Sequence, residues 1–144
     1  MNNFVFENSS KVYFGEGCVK EYLSNILSAY GDTVMLCYGG GSIKKNGIYD
    51  EIITILKKEN KAVVEFSGIP SNPTCNKVLE GVKLAKESNA DLILAVGGGS
   101  VMDCCKAISL GAKYDGDIWA DFWARPGVID FEPLPLGIIV TVSG

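Results

Sequence analysis

Two hydrophobic periods alternate along this chain. Thr33–Tyr38, Ala62–Phe66, 91–96 and 136–142 are short runs dominated by branched, aliphatic and aromatic residues, the pattern of strands covered on both faces. Between them the apolar positions return every three or four residues. Residues 18–30 carry Val19, Tyr22, Leu23, Ile26 and Leu27 on one helical face, closed by Gly31. Residues 48–59 read as a second helix, 75–88 as a third with Val78, Leu79, Val82 and Ala85 inward, and 100–112 as a fourth. Ahead of these, residues 4–6 and 11–14 flank Glu7-Asn8-Ser9-Ser10 and predict an opening β-hairpin before Gly15 and Gly17.

Strands alternating with helices of this length build βαβ units. The expected fold is α/β: a Rossmann-like parallel sheet with helices on both faces, preceded by the β-hairpin. Residues 1–144 read as one dinucleotide-binding domain. The stretch 114–135 differs, with Gly116, Pro126, Gly127, Pro133 and Pro135 around Trp119, Phe122 and Trp123. It predicts a loop carrying a short helix, its rings packing on the sheet more readily than on a ligand.

Composition narrows the chemistry. The chain has 144 residues, 47% hydrophobic and 21% charged, which suits one ordinary domain with a real core. A net charge of −4 without a basic stripe argues against nucleic acid as a partner. The five cysteines, Cys18, Cys37, Cys75, Cys104 and Cys105, have no CxxC spacing and read as reduced thiols of a cytoplasmic protein. No apolar run approaches the roughly 20 residues that span a bilayer, so no membrane partner is expected. Histidine is absent. Triads and metal sites that need it are therefore excluded within these residues.

The candidate chemistry lies in glycine. The predicted strand 91–96 runs into Gly97-Gly98-Gly99-Ser100-Val101-Met102-Asp103. Consecutive glycines let the backbone approach a ligand without Cβ obstruction, and the helix that follows aims free N–H groups and its positive dipole end at the same point. That combination suits a phosphate. Ser100 is an N-cap or a hydroxyl donor to a phosphate, and Asp103 complements the dipole or accepts from a ribose hydroxyl. A tight turn with Ser100 and Asp103 as caps is the alternative. The dinucleotide fingerprint has a third glycine where Met102 stands, so the match is partial.

An echo follows the strand Thr33–Tyr38, in Gly39-Gly40-Gly41-Ser42. In dinucleotide-binding sheets the strand beside the pyrophosphate strand usually ends in an acid that bonds the adenosine ribose. Here glycines, Ser42, Lys44 and Lys45 replace it, which favours NADP(H) over NAD. The alternative leaves Ser42 as a helix cap and both lysines solvated. A third element, Pro70-Ser71-Asn72-Pro73-Thr74, holds Asn72 rigidly at the carboxyl end of the sheet. There it reaches a nucleotide, or forms an Asx turn or helix cap.

Together these stretches resemble a known family. GGGS with Val101-Met102-Asp103, the loop at Ser71-Asn72-Pro73-Thr74, Lys11-Val-Tyr-Phe-Gly15-Glu-Gly17 and Thr141-Val-Ser-Gly144 are similar to the amino-terminal domain of the iron-containing alcohol dehydrogenases. The segment from Tyr38 through Gly39-Gly40-Gly41-Ser42 to Gly47 resembles in particular the NADPH-preferring butanol dehydrogenase and aldehyde reductase branch. The resemblance implies pyrophosphate on Gly98, Gly99 and Ser100 of the turn that Gly97 opens, with Asp103 near the nicotinamide ribose and Asn72 near the adenosine half. It further implies the 2'-phosphate on Gly39, Gly40 and Ser42, and Thr141 and Ser143 in the segment lining the cofactor cleft. In the family a second, helical domain supplies one aspartate and three histidines to iron or zinc. None of that ligand set is matched here, so the expectation is a fragment or truncated product without turnover of its own.

The activity so implied is hydride transfer between NADPH and a small aldehyde or alcohol, with a metal polarising the oxygen. A homodimer is an open expectation. Two other readings stand beside it: a carbon–oxygen lyase resembling dehydroquinate synthase, which uses NAD, and a non-catalytic nucleotide-binding module.

Overall fold

A computed structural model describes residues 10–118, 120–121 and 131–141. Among these residues four parallel strands, β1 (Thr33–Tyr38), β2 (Ala62–Phe66), β3 (Leu92–Gly97) and β4 (Leu136–Val140), form one sheet in the order β2-β1-β3-β4. Packed around it are the helices α1 (Cys18–Leu27), α2 (Ser42–Lys45), α3 (Ile48–Lys58), α4 (Cys75–Glu87) and α5 (Gly99–Gly111). The α/β reading holds, a Rossmann-like parallel sheet with helices on both faces.

Strand alternation sorts the core into two layers. Val34, Leu36 and Tyr38 of β1 and Leu92, Leu94 and Val96 of β3 pack with Leu23, Leu27, Ile52 and Leu56 of α1 and α3. Met35 and Cys37 with Ile93 and Ala95 point the other way, against Val82 and Ala85 of α4 and Cys104, Cys105 and Ile108 of α5. The second layer uses smaller residues, and its helices come close. A Cβ on Gly81 would stand 2.3 Å from Ile108 Cδ1, and one on Gly111 2.6 Å from Val82 Cγ2.

The connections decide where a ligand fits. The chain leaves β1 for the edge strand β2 through α2 and α3 on one face, then returns past β1 to β3 through α4 on the other. β1 and β3 are thus neighbours whose outgoing connections diverge. That divergence opens a crevice at their carboxyl ends, the usual binding place in open α/β sheets. The amino ends are tied shut instead. Asp91 Oδ2 accepts from Thr33 N at 3.0 Å, and Lys61 Nζ donates to the Tyr30 and Gly31 carbonyls at 3.0 Å each.

Several local expectations change. Leu79 is 45% exposed rather than inward, because α4 turns Val78 and Val82 toward the sheet. The first helix stops at Leu27, short of Tyr30. Residues 11–14, the expected second arm of the hairpin, pair with no strand among the described residues; Val12 and Phe14 are exposed, and the first arm lies outside the described residues. Trp119, Phe122 and Trp123 also lie outside them. Among the described residues no helix is long and apolar enough to cross a membrane.

Candidate functional site

The two glycine turns close β1 and β3 side by side. Tyr38 pairs with Val96 in the parallel register, which brings Gly39 and Gly97 to the same level. Gly97 has φ +156°, and a Cβ on it would lie 2.7 Å from Val101 Cγ2. Only glycine lets β3 turn that tightly into α5. Gly98 and Gly99 differ, since a Cβ on either would meet nothing within 4 Å. The tight residue shapes the turn, and the open ones leave space above it.

α5 presents its amino end to that space. Met102 N donates to the Gly98 carbonyl at 3.1 Å, the first bond of the helix. The Gly99, Ser100 and Val101 amides ahead of it have no intrahelical acceptor. Gly98 holds the N-cap position without a side-chain cap, so Ser100 is not the cap its sequence position allowed. The Ser100 hydroxyl instead donates to the Ser71 carbonyl, joining this turn to the loop after β2. Asp103 lies beyond the first turn and forms an exposed pair with Lys106 at 3.8 Å. Such a pair contributes at most about 1 kcal/mol, leaving the carboxylate available to a polar ligand.

The other candidates gather around the same edge. The Gly68 amide donates to the Gly39 carbonyl at 2.8 Å, drawing the loop after β2 under the first glycine turn. Asn72 is exposed on that loop. It does not cap α4, because Thr74 does, accepting from Lys77 N at 3.2 Å. Thr141 N donates to the Gly97 carbonyl at 3.2 Å, which sets Thr141 beside the second turn. Ser143 lies outside the described residues. Gly40, Gly41 and Ser42 are exposed, and nothing fills the space where Cβ atoms on the two glycines would stand.

One cluster escaped the sequence reading. Lys44 Nζ lies 5.7 Å from the Tyr38 ring centroid and 4.9 Å from that of Tyr49, contacts worth about 0.5–1 kcal/mol when exposed. The Tyr38 hydroxyl donates to Glu65 Oε1 at 2.9 Å. Hydrogen bonding to Glu65, with burial and its charge behind it, pushes the Tyr49 phenol up to about 12. Burial first, then the Glu65 bond, raises Tyr38. No spacing rule brings Glu65 to these rings. The β1–β2 register does, by pairing Glu65 with Leu36 on the Tyr38 face.

Metal chemistry finds no purchase among these residues. No group of three or more acidic or cysteine side chains among the described residues could hold an ion, and the chain has no histidine. All five cysteines are free. The Cys37 thiol is held well above its ordinary range by a hydrogen bond with Cys105 and by burial, and burial pushes Cys104 up to about 11. These are poor nucleophiles at neutral pH.

Comparison with known proteins matches residues 9–144 to the family model described as iron-containing alcohol dehydrogenase. The chain belongs to that family. It is 46% identical over 143 residues to the probable NADH-dependent butanol dehydrogenase 2 of Bacillus subtilis strain 168, covering 99% of this chain and 36% of that protein. With the NADPH-dependent aldehyde reductase of Escherichia coli K12 it shares 35% identity over 145 residues, again 99% of this chain and 36% of the relative. The crystal structure of NADH-dependent butanol dehydrogenase A from Thermotoga maritima superposes with a TM-score of 0.86 at 42% identity, over 99% of this chain and 35% of that one. The chain thus spans about a third of the length of these relatives.

Proposed function

We propose that this chain binds a nicotinamide dinucleotide across the β1–β3 crevice, as the cofactor-binding part of a metal-dependent dehydrogenase that interconverts an alcohol with an aldehyde or ketone. One observation carries the reading: two open glycine turns flank the point where the sheet's connections diverge. Gly97, Gly98, Gly99 and Ser100 are assigned to the pyrophosphate. Gly39, Gly40 and Ser42 are assigned to the adenosine ribose and its phosphate, Asn72 to the adenosine half, Asp103 to the nicotinamide ribose, and Thr141 and Ser143 to the cleft wall. When bound, the dinucleotide supplies or accepts the hydride. This chain's contribution is to bind and orient it, and the described residues are assigned no metal step.

NADP(H) is the preferred form in this reading. Support comes from the absence of an acid in the segment directly after β1 and from Ser42, Lys44 and Lys45 in its place. The names of the relatives divide, with NADH for the Bacillus protein and NADPH for the Escherichia one. A charge-assisted contact to a phosphate is worth about 1.5–3 kcal/mol, or about ten- to a hundredfold in affinity. Fluorescence titration of the chain should therefore give NADPH at least about tenfold tighter than NADH, and Ser42→Asp should weaken NADPH more than NADH. Preference for NADH would sink the phosphate assignment, and binding of neither would sink the dinucleotide reading.

A further inference from the structure

Several lysine ammoniums of this chain are held by an oxygen. Lys77 lies 3.6 Å from Glu80, and Lys86 donates to the Tyr114 carbonyl at 2.7 Å. Lys61 and Lys106 have oxygens too, as described above. Lys44 differs. Its ammonium rests over the faces of Tyr38 and Tyr49, and among the described residues no carboxylate or carbonyl pairs with it. Ring faces attract the charge but leave the three N–H donors free for a hydrogen-bonding anion.

The surroundings keep the cation in this state. Glu65 accepts from the Tyr38 hydroxyl at 2.9 Å and also raises the Tyr49 phenol, and it forms no ion pair with Lys44. The bond to Glu65 holds the Tyr38 ring, the Tyr49 ring packs edge-on against it at 5.8 Å, and the two rings hold the ammonium. Lys44 also stands two residues after Ser42, beside a turn whose Gly40 and Gly41 leave open space. Lys45, exposed and without a ring beneath it, must give up its rotamer freedom to hold a ligand, whereas Lys44 has already lost much of it.

We propose that Lys44 is the specificity-determining cation for a phosphate on the adenosine ribose, and that Tyr38, Tyr49 and Glu65 are the positioning residues that hold it ready. This rests on the dinucleotide reading above and adds which side chain makes the choice of cofactor.

The test uses the intact chain and calorimetric titration with two pairs of probes, NADPH with NADH and 2',5'-ADP with 5'-AMP. Each pair differs only by the ribose phosphate. Lys44→Met should weaken NADPH and 2',5'-ADP by about tenfold, the scale of one charge-assisted contact, while NADH and 5'-AMP change less than about twofold. Lys44→Arg, which keeps the charge and stacks on rings, should restore most of the preference. Tyr38→Phe, which removes the bond to Glu65 and keeps the ring, should give an intermediate loss on the phosphorylated probes alone. Unaltered selectivity in Lys44→Met, with thermal unfolding unchanged, overturns the proposal, as does a larger loss in Lys45→Met. Equal affinity of the unsubstituted chain for NADPH and NADH overturns it while leaving the dinucleotide reading intact. Binding of neither overturns both.

Discussion

Gly97 and Gly98 are neighbours in one turn, yet alanine at each should do opposite things. At Gly97 the backbone has φ +156°, and the new methyl would stand 2.7 Å from Val101 Cγ2 and 3.1 Å from Val101 Cβ. The backbone strain costs about 1–3 kcal/mol and the overpacking about 1–3 kcal/mol, together about 2–6 kcal/mol. That is a large part of the roughly 5–15 kcal/mol that holds an ordinary domain together. At Gly98 φ is −97° and ψ −163°, which alanine adopts freely, and nothing lies within 4 Å of its Cβ. The entropy gained from the unfolded chain, about 0.4–1 kcal/mol, roughly offsets alanine's poorer performance as an N-cap.

Urea unfolding of the two variants beside the unsubstituted chain measures this directly. Gly97→Ala should lower the midpoint with an unchanged slope, and Gly98→Ala should stay within about 0.5 kcal/mol of the parent. Gly98→Ala should nonetheless lose dinucleotide binding, because its methyl enters the space assigned to the ligand. Adding Val101→Ala to Gly97→Ala should recover the overpacking part, about 1–3 kcal/mol, as a coupling between the two sites. Equal destabilisation by both alanines, or a Gly97→Ala protein as stable as the parent, would refute the reasoning.

Two further outcomes follow from the layer of α4 and α5. Gly81→Ala should destabilise by about 1–3 kcal/mol in the same urea assay despite alanine's better helix propensity, because its methyl would meet Ile108 at 2.3 Å and Phe66 at 3.0 Å. The thiols give a pH signature. Cys104 is raised from 9.0 to about 11 in the folded chain, so its contribution is fully present below pH 9 and fades as pH rises toward 11. Alkylation at pH 8 followed by mass spectrometry should label Cys18 and Cys75 well before Cys104 and Cys37, and early labelling of Cys37 would contradict its burial.

Much of the architecture was legible because periodicity reports burial. The runs at Thr33–Tyr38 and Ala62–Phe66 became β1 and β2 with the same bounds. The glycine turns were legible as well, because three glycines in succession have few uses at a strand end. What stayed hidden depends on contacts far apart in sequence. Leu79 fits the apolar stripe of α4 but falls on its outer flank, where only the packing of α4 on α5 and the sheet decides exposure. Ser100 looked like a cap until the loop after β2 offered it the Ser71 carbonyl. Glu65 carries no signal of its own within the strand run Ala62–Phe66. Its meaning arises only when β1 and β2 lie side by side.

The bond from Ser100 to Ser71 carries a last consequence, in the currency of protons. A serine hydroxyl owns a single hydrogen, and here it is already committed to a carbonyl on the loop that bears Asn72. A phosphate seated on the turn can draw on the amides of α5 at no cost to that loop. If it also takes the Ser100 hydrogen, the Ser71 carbonyl is released, and one acceptor has replaced another with little net gain. The hydroxyl therefore works as a latch between two segments, the second glycine turn and the loop that bears Asn72.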